Sequence, residues 1–155
     1  MREGEREGSP IVTKPIGHRA DYAWFTPIIT RWMDNDAYGH VNNVIYYSWF
    51  DTAVARFLIG EVLPACPKLM GYVVETQCRY HASVSFPDAV TVGLRVERLG
   101  TSSIRYGIGI FREEEDRASA EGHFVHVHVD KATGRPKPTP DEARAVFERF
   151  MVAKG

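Results

Sequence analysis

The run from Arg31 to Leu58, RWMDNDAYGHVNNVIYYSWFDTAVARFL, decides how the chain is read. It leaves a strand-like segment through a polar turn that holds Asp34, Asp36, Gly39, His40, Asn42 and Asn43. It then enters a stretch apolar on nearly every side: Val44, Ile45, Tyr46, Tyr47, Trp49, Phe50, Ala53, Val54, Ala55, Phe57 and Leu58. A helix without a clear polar stripe must be buried on most of its surface. Its first turn carries unpaired backbone N–H groups and the positive end of the helix dipole. Polar residues gathered at that point are the strongest functional signal in the sequence.

On the N-terminal side of this run, Tyr22 to Met33 is rich in aromatic and β-branched residues and reads as a strand. Pro27 cannot donate to a ladder, which predicts a bulge or an edge position. The helix is expected to run to about Ile59, with Gly60 suited to its end and Pro64 and Pro67 preventing continuation. Met70–Tyr80 is the next expected strand. Ala89–Leu99 alternates well, with Val90, Val92, Leu94 and Val96 on one face. Ile104–Phe111 and Ser119–Asp130 follow as further strands, the latter with Phe124 opposite Val125, Val127 and Val129. Pro140–Ala153 reads as a short amphipathic helix in which Ala143, Val146, Phe147 and Phe150 share a side. The three successive short connections predict antiparallel neighbours.

The expected class is therefore α+β: an antiparallel sheet curled round one long buried helix, plus a short C-terminal helix. One sheet layer cannot cover the far side of so apolar a helix, so a partner subunit is expected to complete its burial.

Composition bounds the remaining possibilities. At 155 residues the chain suggests one domain, residues 20–155, preceded by a flexible polar leader over residues 1–19. Nineteen basic side chains oppose twenty acidic ones, which gives no electrostatic case for nucleic acid or an anionic membrane as partner. Cys66 and Cys78 lie in unrelated segments without metal-type spacing, so a reducing, cytoplasmic setting is the simpler reading than a disulfide framework. The sequence shows neither a signal-type apolar core near its start nor a run able to span a bilayer.

The strand order and the pattern Asp-x-Asp-x-x-Gly-His-Val-Asn-Asn over residues 34–43, followed by an apolar helix, resemble the hotdog-fold acyl thioesterases. The resemblance is to the 4-hydroxybenzoyl-CoA thioesterase-like group above all, and the Gly-His-Val-Asn-Asn run also resembles acyl-carrier-protein thioesterases. It covers roughly Trp24 to Asp130. It implies a homodimer or homotetramer with active sites between subunits, acting on acyl-CoA or acyl-carrier-protein thioesters without metal or organic cofactor. It implies a catalytic carboxylate at Asp36 and an oxyanion-binding backbone N–H at Asn43. A histidine matching His40 is placed in the site of the carrier-protein relatives, which carry asparagine where this chain has Tyr38.

The chemistry suits these residue types. Thioester hydrolysis needs a nucleophile or general base, here Asp36, and stabilisation of a tetrahedral oxyanion. Fixed N–H dipoles at a helix start meet the second need. Gly39 permits tight backbone geometry, His40 is placed to orient the carbonyl or the water, and Asn42 to hold the turn. Asp, Asn and Gly also crowd turns for conformational reasons, and that reading is preferred for Asp34 and for the side chains of Asn42 and Asn43. Tyr38 and Tyr46 are candidate substrate contacts, although the helix aromatics mostly read as core. Glu75 sits where some relatives place a second carboxylate, with a solvent-facing role the blander alternative. Arg79, Ser102 and Ser103 are candidates for the carrier's phosphates, as is the basic group Lys131, Arg135 and Lys137. His126, His128 and Asp130 alternate with a spacing able to ligate zinc, but strand alternation already explains it. Outside thioester hydrolysis, the alternatives are a hotdog hydratase or dehydratase, or a non-catalytic acyl-binding subunit.

Overall fold

A computed structural model describes residues 15–152. Five strands form one antiparallel sheet: β1 (Trp24–Ile29), β2 (Gly71–Tyr80), β3 (Ala89–Leu99), β4 (Ser103–Arg112) and β5 (Ala120–His128), in the order β1-β3-β4-β5-β2. The long helix α1 (Asn43–Phe57) lies against this sheet, and the short helix α2 (Asp141–Glu148) follows the last strand. Pro27 sits on β1, which pairs with β3 alone, so the edge position expected for it is the one observed.

Alternation sets the faces. Val90, Val92, Leu94 and Val96 of β3 and Ile104, Tyr106, Ile108 and Ile110 of β4 are buried in one cluster with Tyr46, Trp49, Phe50, Val54 and Phe57 of α1. Fully burying a side chain of that size contributes about 1.5–3 kcal/mol. Phe57 is a hub of this core, its ring 5.5 Å from Trp24, 6.1 Å from Tyr106 and 4.9 Å from Phe150, all edge-on. Ala143, Val146 and Phe147 of α2 close the far end of the cluster. On β5, Gly122 admits the helix: a Cβ there would collide with the Gln77 carbonyl and stand 2.6 Å from the Phe50 ring.

Two expectations need correction. Gly60 does not end the helix, because the chain continues through a wider π-type turn, Leu58–Val62, closed by Leu63 N–H donating to Leu58 O at 2.8 Å. Pro64 has no N–H to donate, so it interrupts the ladder there, and the chain closes one last turn with Cys66 N–H donating to Val62 O at 2.9 Å. Nor is β2 the neighbour of β3, although their connection is short; it pairs with β5. The connection from His81 to Asp88 is no hairpin, for Val84 is buried and its carbonyl accepts Val41 N–H at 2.7 Å, just before α1 begins.

The second sheet edge is β2, and it is open. It is exposed along all of its length except Cys78, with Tyr72, Val73, Val74 and Tyr80 among the exposed large side chains. On α1, Val44, Ser48, Asp51, Ala55 and Ile59 just beyond it are likewise exposed in the single chain. Of the segment assigned to the leader, residues 1–14 lie outside the described residues. Gly17–Arg19 are anchored: Gly17 N–H donates to Glu121 and Arg19 N–H to Asp116 O.

Candidate active site

The polar turn is a rigid loop held at both ends. Asp34, almost wholly buried, accepts from Arg31 N–H and from the Arg31 guanidinium, with Nη2 at 2.8 Å. It is a turn former, the role that the conformational preference of aspartate suggested. Asp36 N–H donates to His40 O and Gly39 N–H to Asp36 O, so Asp36–His40 closes on itself. Gly39 makes that closure possible with φ of +77°, the left-handed region that side chains rarely adopt. Ser85 Oγ–H then donates to Gly39 O, and Phe86 N–H to the Asn35 side chain, tying the loop to the segment after β2.

This scaffold fixes two groups. The Asp36 carboxylate is partly exposed; Oδ1 accepts Tyr38 N–H at 2.9 Å, which leaves Oδ2 uncommitted. At the start of α1, Asn42 is the N-cap: its side-chain oxygen accepts Val44 N–H at 3.0 Å and its carbonyl accepts Ile45 N–H at 2.9 Å. The Asn43 N–H finds no acceptor among the described residues. It stands at the positive end of the helix dipole, where a backbone donor favours an anionic oxygen.

Asp36, His40, Val41, Asn43, Tyr46, Tyr80, His81, Ala82 and Ser83 together line an open cleft of ≈ 380 Å³. Asp36, His40, Asn43 and Tyr46 were legible in the sequence; Tyr80 and His81–Ser83 were not. Tyr80 O–H donates to Asn43 O at 2.8 Å and packs edge-on against Tyr46 at 4.9 Å, bracing the first turn of the helix. Burial, with Cys78 nearby, pushes the Tyr46 hydroxyl up to about 12, so it stays protonated at neutral pH.

The remaining candidates lie elsewhere in the single chain. Gly39 shapes the loop and Asn42 caps the helix, and neither lines the cleft. Tyr38 points to solvent at 87% exposure. Glu75 lies 3.1 Å from His123 Nε2, with its side chain largely exposed in the single chain. Arg79 is exposed on β2, Ser102 lies in the β3–β4 turn and Ser103 opens β4, their carbonyls accepting His128 N–H and Gly100 N–H. Lys131 and Lys137 do gather, with Lys68, Met70 and His128, around a second cleft of ≈ 740 Å³ at the start of β2. His128 Nδ1 lies 2.9 Å from Met70 O, and among the described residues no group of three or more His, Cys, Asp or Glu is placed to hold a metal.

Comparison with known proteins agrees with this architecture. The sequence pattern of the thioesterase-like superfamily matches residues 30–147. The crystal structure of the PA5185 protein of Pseudomonas aeruginosa PAO1 is 43% identical, with a TM-score of 0.85 over 91% of this chain and 100% of that one. A Thermus thermophilus thioesterase complexed with coenzyme A and zinc is 27% identical, with a TM-score of 0.72 over 81% of this chain and 98% of that one. The gentisyl-coenzyme A thioesterase BH1999 is 25% identical, with a TM-score of 0.69 over 81% and 99%. A matching pattern over most of the chain, and a curled antiparallel sheet around one helix shared with these structures, lead to one conclusion: the chain belongs to the thioesterase-like superfamily of hotdog fold.

Proposed function

We propose that the chain hydrolyses acyl-CoA thioesters, with Asp36 as general base or nucleophile and the Asn43 N–H as the oxyanion donor. The observation that carries this reading is the shared cleft, in which a free carboxylate oxygen and an unpartnered helix-start amide face one space. A thioester carbonyl bound there is polarised by the amide while Asp36 Oδ2 takes a proton from water, or attacks directly to give a mixed anhydride. Charge developing on the carbonyl oxygen then meets a dipole already oriented, which costs no reorganisation.

The open β2 edge supports a dimer. The ten residues of β2 pair with β5 on one side only, and the outer side, with Tyr72, Val73 and Val74 exposed, is an edge that soluble proteins otherwise protect. Two-fold antiparallel pairing of this edge sets the Gly71 end of one copy beside the Tyr80 end of the other. The cleft with Lys68, Lys131 and Lys137 then adjoins the Asp36 cleft of the second copy, and three ammonium groups suit the phosphates of coenzyme A. The coenzyme A-bound neighbour favours that carrier over a carrier protein. No helix among the described residues is long and apolar enough to cross a membrane, which is compatible with a cytoplasmic enzyme.

The test is release of free thiol from a panel of aromatic, short and long acyl-CoAs. Steady turnover of at least one class is expected. Tight binding of acyl-CoA with no thiol release across the panel would instead identify a non-catalytic acyl-binding subunit.

A further inference from the structure

His81 leaves the sheet directly after β2 and lines the same cleft as Asp36 and Asn43. Its ring is not free to turn. Nε2 lies 2.9 Å from Glu121 Oε2, with the two side chains 17% and 12% exposed. Glu121 sits on β5, and its other oxygen accepts Gly17 N–H at 2.9 Å and Tyr22 O–H at 3.3 Å. A carboxylate so nearly buried must be satisfied by donors, and here three donors share its two oxygens. Burial, with Glu121 beside it, pushes the Tyr22 hydroxyl up, so Tyr22 remains a donor. The carboxylate therefore takes the Nε2–H and fixes the ring, and Nδ1 has no partner among the described residues. His40 contrasts with it, being exposed with no hydrogen bond to its ring among the described residues.

We propose that His81, aligned by Glu121, is the acid that protonates the departing thiolate, with Glu121 as its positioning residue. This rests on the reading of Asp36 and Asn43 given above. Water oxygen bonds to the thioester carbon while one water proton passes to Asp36. The C–S bond breaks, its electron pair stays on sulfur, and sulfur takes the proton from Nδ1–H of the imidazolium. The proton on Asp36 returns to the imidazole through solvent in the open cleft. The balance is thioester plus water to acid plus thiol.

The experiment compares two thioesters of one acid: the acyl-CoA the wild type turns over fastest, and the thioester of 5-thio-2-nitrobenzoate. The second thiol is acidic enough to leave without a proton donor. His81→Gln should lower kcat on the CoA thioester by about 100-fold, the low end of general-acid effects, and on the aryl thioester by less than about threefold. Glu121→Gln should give the same split at about tenfold. A variant that had merely distorted the cleft would lose both activities together. Equal losses on the two thioesters, or none with His81→Gln, overturn the proposal. Should Glu121→Gln fail to fold, the His81 pair of rates still decides. Asp36→Asn is expected to lose both substrates alike; if it stays fully active while the His81 split persists, the Asp36 reading fails and this one stands. A wild type inert on both thioesters overturns both.

Discussion

Replacing Asn43 by proline removes the hydrogen of the proposed oxyanion donor together with the carboxamide side chain, and Asn43→Ala controls for the second change. Asn43 is the first residue of α1, where proline is well tolerated because its N–H would have no intrahelical partner. The residue before a proline must be extended, and Asn42 already is, with φ of −60° and ψ of 138°. The Asn43 carbonyl, which accepts Tyr80 O–H at 2.8 Å, survives the change. The two following N–H groups are committed to Asn42, so no neighbouring amide of the first turn is spare to replace the lost one. Stability should therefore stay within about 0.5 kcal/mol of wild type, as for surface changes away from special features. Loss of one oxyanion donor typically lowers kcat about 100- to 1,000-fold, equivalent to about 2.7–4 kcal/mol of transition-state stabilisation. Asn43→Ala keeps the amide and should remain within a few-fold of wild type. The assay is thiol release at saturating acyl-CoA, with a thermal melt of each variant. Wild-type kcat in a folded Asn43→Pro protein would rule out the Asn43 N–H as the oxyanion donor.

Three further outcomes are expected. Val74→Lys places a charge at the centre of the open β2 edge, where the side chain is 60% exposed; light scattering should show a dimer becoming a monomer of unchanged fold. Phe57→Ala empties a fully buried hub of the core and should cost about 3–5 kcal/mol, read from the urea midpoint. At Asp88, burial raises the carboxyl, but Ser85 N–H and the Arg112 guanidinium outweigh it and hold it below the usual carboxylate range. A depressed folded value contributes stability above the unfolded value of about 3.9 and loses it as pH falls through the folded one. Asp88→Asn should thus lower Tm at pH 7, with the gap to wild type closing below about pH 4.

Much of the fold was legible because period-two alternation in Ala89–Leu99 and Ile104–Phe111 is local information, and both segments are strands with the expected inward faces. Strand order was less so. The short link after Tyr80 suggested a β2–β3 neighbour pair, whereas Val84 draws that link beneath the start of α1, a tertiary contact that sequence spacing does not encode. For the site, Asp36, His40 and Asn43 stand within one loop and one helix turn, so a single motif names them. His81 and Glu121 lie 40 residues apart and meet only through β2–β5 pairing. Tyr80 reads simply as a strand aromatic until its hydroxyl is seen on the Asn43 carbonyl.

The proposed hydrolysis depends on one carboxylate beside a helix-start amide. Its most direct measurement is single-turnover thiol release by Asp36→Asn on the best acyl-CoA, with folding verified by thermal melt. A loss of at least about 100-fold in rate is expected, the scale of general-base catalysis, with acyl-CoA binding retained. Release at the wild-type rate would contradict it.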